Sequence, residues 1–228
     1  MTFLQLVQRL RSECGVSDTG PTTVVGQTGE YERLVNWVNA AWMDIQSAHQ
    51  DWNWLRTSLT PFATVAGQTT YSPTAAPMSL TDFGAWDRDS FRVYETAAGI
   101  SSETFLTYKP YDLWRNSYLI GALRSTTSRP DIVTVAPDNS LGFGPITAAG
   151  YSIVGDYFKL PSEMSADTGI PVLPTQYHLA IVYRAMMSYG AYFGAPEVYQ
   201  RGETEFSKMM LRMTADRLPD ILIGGALA

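Results

Sequence analysis

One cysteine, Cys14, and two histidines, His49 and His178, are all the thiol and imidazole chemistry in the 228 residues. A single thiol excludes an intrachain disulfide framework and a cysteine-rich zinc site. No HxxxH or HExxH spacing presents a metal-binding face on a helix. Charge is scarce too, at 17% against roughly 25% in an average soluble domain. Lys plus Arg number 16 and Asp plus Glu 22, a formal net charge of −6. That balance excludes the basic stripe of a general nucleic-acid binder. The most apolar stretch, residues 177–193, is short for a bilayer span and contains His178 and Arg184. Residues 1–10 include Gln5, Gln8 and Arg9, unlike a signal peptide. The expectation is a soluble chain made in a reducing cytoplasm, with no membrane partner.

Apolar residues are plentiful at 45%, and aromatics reach 12%, enough for a sizeable core. A chain rich in aromatics and poor in charge is expected to turn part of its exterior toward other protein.

Hydrophobic period divides the chain into three stretches. Residues 1–53 predict two helices. Thr2 and Gln5 have capping-box spacing, Phe3, Leu6, Val7, Leu10 and Cys14 follow a helical stripe, and Gly15 ends it. The second helix is expected over residues 30–49, with Tyr31, Leu34, Val35, Val38, Trp42 and Ile45 on one face and Glu30 and Glu32 in its first turn. Residues 54–165 predict a β-rich insertion. In it, residues 59–65 and 69–71 read as a hairpin around Ala66-Gly67-Gln68, and Pro137-Asp138-Asn139 is a turn between two further strands. Residues 90–95, 104–108 and 151–159 are further strands, and residues 111–118 a short helix. Residues 170–217 return to helix. The first helix there is apolar nearly all round and ends at Gly194, and the second begins at Pro196 with Val198, Tyr199, Gly202, Phe206, Met209, Met210 and Met213 as its buried stripe. The fold class expected is α+β, an antiparallel bundle of N- and C-terminal helices with a long β-rich insertion. Residues 218–228 form an apolar tail without a charged side chain after Asp220, read either as folded back or as a docking arm.

No catalytic constellation emerges. Asp82, Asp87, Arg88 and Asp89 read as a solvated turn with local ion pairing, although Phe83 and Trp86 nearby could stack on sugar. Leu141-Gly142-Phe143-Gly144-Pro145 lacks the lysine and helix of a phosphate loop, and no GxSxG elbow occurs. Cys14 and His178 read as packed residues, His49 as a helix-end residue, and Trp42, Trp52 and Trp54 as a hydrophobic corner.

An ordered series of local motifs runs along the chain. It comprises Trp52-Asn53-Trp54-Leu55 after the second helix, Ala66-Gly67-Gln68-Thr69-Thr70-Tyr71-Ser72-Pro73, and Tyr111-Asp112-Leu113-Trp114-Arg115. Arg129-Pro130-Asp131, the Pro137-Asp138-Asn139 turn, Gly144-Pro145 and Pro171-Val172-Leu173-Pro174-Thr175-Gln176-Tyr177-His178 complete it. Over about residues 30–218 this series resembles the head-to-tail adaptor (connector) proteins of tailed bacteriophages. The resemblance implies a structural virion protein at the head-tail junction, without catalytic site, metal or cofactor. It implies a homo-oligomeric ring, a dodecamer, joining the portal protein to tail or nozzle proteins. Genomic DNA would pass through its lumen without specific binding, since negative walls offer no counterion-release gain.

Interface residues expected on this reading are Ile221, Leu222, Ile223 and Leu227 in the arm, Trp37 and Trp42 between core and subunit contact, and Arg33 and Arg212 facing acids of the next protomer. Two other readings stand beside it. One is a carbohydrate-binding or hydrolytic tail component presenting Trp86, Tyr94, Tyr108 and Trp114. The other is a different neck protein, such as a tail terminator.

Overall fold

A computed structural model describes residues 1–17 and 19–217. The chain forms a mixed α+β fold in two compact units, one made of Met1–Leu55 and the chain from Pro161 onward, the other of Arg56–Leu160.

In the helical unit, α1 (Phe3–Glu13) begins at a capping box in which Thr2 and Gln5 satisfy each other's backbone donors, and Gly15 follows its end at φ +73°. Helix α2 spans Gly29–Ala48. After a short 3-10 turn at Thr175–Tyr177 comes the helix His178–Phe193, numbered α4 because a short α3 lies in the other unit, and α5 spans Pro196–Arg217. Helix α4 packs against α1, α2 and α5. Three neighbours explain its apolar sequence: Ala180, Ile181, Val182, Ala185 and Met186 are all fully buried.

Residues 161–169 also belong here, because side-chain amides of α2 hold them. Gln46 exchanges hydrogen bonds with both backbone groups of Ser162, and Asn39 does the same with Met164. Trp54 joins them by stacking on Trp52, whose indole N–H donates to the Ile45 carbonyl at 3.0 Å.

The expected stripe of α5 is only partly covered. Gly202 and Met213 are buried, while Val198, Tyr199, Phe206, Met209 and Met210 are half-buried. The reason is that α4 is the helix α5 packs against, so one side of the stripe has no helix against it among the described residues.

The β unit contains β1 (Arg56–Ser58), β2 (Phe62–Ala63), β3 (Thr70–Tyr71), β4 (Phe83–Glu95), β5 (Thr104–Phe105) and β6 (Thr107–Tyr108). After α3 (Tyr111–Tyr118) follow β7 (Thr127–Ser128), β8 (Ile132–Val135), β9 (Leu141–Gly144), β10 (Ile146–Thr147) and β11 (Tyr151–Lys159). One sheet runs β1-β11-β4-β5 with β2 also on β11, a second runs β3-β9-β8-β6, and β7 pairs β10. Their core combines Phe62, Tyr71, Phe91, Val93, Val133, Leu141, Phe143 and Ile153.

Three local expectations are corrected here. Residues 59–71 are not a hairpin. The tight turn exists, with Gln68 N–H bonded to Val65 O and Gly67 at φ +78°, but β2 pairs β11 and β3 pairs β9. Residues 104–108 likewise split, β5 joining β4 and β6 joining β8. Residues 82–89 are not a solvated turn but lead into and form the first half of β4, where Asp87 pairs Arg56 at 2.8 Å and Arg88 lies over the Tyr108 ring. The hairpin about Pro137-Asp138-Asn139 stands as expected, with β8 antiparallel to β9 and Asn139 at φ +63°.

Candidate assembly interface

Among the described residues of the helical unit, one partly exposed cluster is aromatic. Tyr189, Tyr192 and Phe193 recur at three- and four-residue spacing, so they share one face of the last turns of α4. Trp37, early in α2, meets that face, its ring centre 5.8 Å from Tyr189, 5.6 Å from Tyr192 and 6.2 Å from Phe193. Tyr189 and Phe193 lie 4.6 Å apart and Tyr192 and Phe193 4.8 Å. The Arg33 guanidinium covers Tyr192 at 4.9 Å, adding a cation–π attraction. This cluster is not fully closed: Tyr192 is 56% and Phe193 45% exposed. Behind it, Arg184 and Asp44 tie α4 to α2 at 2.7 Å.

Burial, then the negative charge of Glu30, raises the Tyr189 hydroxyl pKa, so its O–H remains a donor. A cluster of edge-to-face and tilted rings, two of them exposed, with a cation at the margin matches the anchor composition of protein contacts, where Tyr, Trp, Phe and Arg are enriched.

Of the residues expected at the interface, the structure brings Trp37 and Arg33 together in this cluster. Trp42 is 2% exposed and faces Trp54 inside the helical unit. Arg212 is exposed on α5, without an ion pair among the described residues. Ile221, Leu222, Ile223 and Leu227 lie outside the described residues. Tyr189, Tyr192 and Phe193 were not singled out from sequence as interface residues. Their signal was the shared face at the helix end, but only the approach of Trp37 makes it a surface.

Candidate chemistry is accounted for by packing. Burial, then the Glu13 charge, pushes the half-buried Cys14 thiol up to about 12, so it is no thiolate nucleophile near neutrality. His178 is buried, with one ring nitrogen bonded to the Leu173 carbonyl and the other to the Met1 ammonium. Among the described residues no group of three or more His, Cys, Asp or Glu could hold a metal, and no helix is long and apolar enough to cross a membrane.

The glycan-binding reading loses both its tryptophans. Trp114 has no exposed surface, and Trp86 is buried with its indole N–H donated to Asn139 O at 2.7 Å. A sugar needs a ring face in water to stack on, and neither offers one.

No curated protein matches the chain. The SU10 adaptor protein family does, its model covering residues 1–226. The dispersed motifs and the match over nearly the whole length agree: the chain belongs to the SU10 adaptor protein family and is a structural adaptor of the phage virion neck, associated with portal and tail.

Proposed function

We propose that copies of this chain assemble side by side into a dodecameric ring between portal and tail, with a central channel through which genomic DNA passes. In this reading residues 1–53 and 170–217 act as an antiparallel helix bundle that forms the ring body. The β insertion, residues 54–165, is a separate module, and residues 218–228 form the docking arm. The observation that carries the proposal is the Trp37, Tyr189, Tyr192 and Phe193 face, half in water on a charge-poor chain. An aromatic side chain brings about 150–250 Å² to a contact, so leaving two of them half exposed favours cover by another protein. The half-covered stripe of α5 supports the same reading.

Trp37 and Arg33 meet the next copy, with Trp42 packed behind them as support. Arg212 faces an acid of a neighbour. Ile221, Leu222, Ile223 and Leu227 anchor on the portal or an adjacent subunit, where burial of each aliphatic side chain contributes about 1.5–3 kcal/mol. The net charge of −6 suits a lumen that lets the duplex slide, since acidic walls give phosphates nothing to hold.

Class averages of particles by electron microscopy test the ring: density for this chain in a closed neck ring is expected, and particles that lack the chain overturn the proposal. Deletion of residues 221–228 tests the arm. The truncated chain is expected to fold, with an unchanged thermal transition, yet to leave heads and tails unjoined. Normal particle yield from the truncated chain refutes the arm.

A further inference from the structure

Beside the aromatic seam, α4 and α5 border a hollow of about 480 Å³ lined by Gly190, Ala191, Gly194, Pro196, Tyr199 and Gln200. Ala191 offers only a methyl group to it, and Gly190 lets α5 come close, its Cβ position lying 2.7 Å from Tyr199 N. Each step along an α-helix turns the side chain by about 100°. Tyr192 and Gly190, two steps apart within α4, therefore lie on nearly opposite sides of the helix. One end of α4 thus carries an aromatic knob on one side and a shallow, open hollow on the other.

We propose, resting on the ring reading above, that neighbouring copies join through these two unlike surfaces: the Tyr192 and Phe193 knob of one copy seats in the α4–α5 hollow of the next. A patch that fits a different patch on an identical molecule makes a head-to-tail contact, and such contacts close into rings when the rotation allows. Two copies facing each other through the same patch would instead stop at a dimer.

Charge supports the second copy as the occupant. The knob carries Arg33 over Tyr192. On the hollow side, Glu203 follows Gln200 by three residues and Tyr199 by four, which puts its carboxylate on the same face of α5, one turn along. Glu203 and Arg33 are both exposed, and neither forms an ion pair among the described residues. Seating the knob brings the Arg33 cation toward the Glu203 anion of the neighbour, a pairing that fixes register and opposes the reversed docking.

Cross-linking reads the contact directly. Tyr192→Cys and Gln200→Cys are made separately in a Cys14→Ser background, and particles are assembled with either variant alone or with both. A short bismaleimide is expected to give a linked dimer only in particles that contain both variants. The pair Arg33→Cys and Glu203→Cys probes the same contact without removing the knob, and decides the matter should the first pair fail to enter particles. A dimer from Tyr192→Cys alone means a like-to-like contact and overturns the proposal. Particles that show the ring in class averages but give no linked dimer from either pair also overturn it, while leaving the ring intact. Particles without a ring remove both.

Discussion

Gly202 sits at the seam between α4 and α5, and replacing it with alanine sets two effects of known size against each other. Helix propensity alone favours alanine over glycine by about 1 kcal/mol. Against this, a Cβ on Gly202 would stand 2.8 Å from the Tyr183 carbonyl oxygen, 3.1 Å from Met186 Cβ and 3.3 Å from Met187 Cγ. The nearest atom is backbone inside α4, held by helical hydrogen bonds, so it cannot rotate away. Overpacking of this kind costs about 1–3 kcal/mol, and a backbone obstacle argues for the upper end. The net expectation is a loss of about 2 kcal/mol. At about 2–4 °C per kcal/mol for a chain of this size, Gly202→Ala should lower the transition of the helical unit by about 4–8 °C. Gly190 makes the reciprocal contact, its Cβ position 2.7 Å from Tyr199 N and 2.9 Å from Ala195 O. Gly190→Ala should therefore destabilise as well, and the double variant by less than the sum, because one outward shift of α5 relieves both. Thermal denaturation followed by helical circular dichroism is the assay. A transition unchanged or raised in Gly202→Ala would show that propensity wins and refute the close-approach argument.

Gly155, in β11, admits the Phe91 ring: an added Cβ would lie 2.5 Å from Phe91 Cδ1. Phe91 is fully buried and has nowhere to swing, so Gly155→Val should cost the β unit about 1–3 kcal/mol or more, read as increased protease cleavage between residues 56 and 160. A second expectation concerns acid. Burial lowers the His178 pKa below 6.5, its ordinary value, so the unfolded chain takes up a proton first as pH falls. The stability from neutral His178 is therefore complete above about 6.5 and declines as pH drops through the folded value. Denaturant midpoints should fall from pH 7.5 to 5.5, and the slope should flatten in His178→Gln; equal slopes would exclude His178 as the titrating group.

Much of the chain's local structure follows from its sequence, because local structure depends on neighbours a few residues away. The Thr2–Gln5 capping box, the helix at Tyr111–Tyr118, the strand at Tyr151–Lys159 and the breaks at Gly194 and Pro196 all rest on side-chain period or on backbone preferences. The family, too, is written in motifs strung along the chain. What tertiary structure alone decided is pairing. Strands β2 and β3 flank a good turn yet go to different sheets, since their hydrogen bonds are completed by β11 and β9, some eighty residues away in sequence. The same holds for the interface: Tyr189, Tyr192 and Phe193 read as ordinary core until Trp37, from a helix about 150 residues earlier, covers one side of them and leaves the other to water. Periodicity says which side chains share a face, but only the packed chain determines which faces remain uncovered.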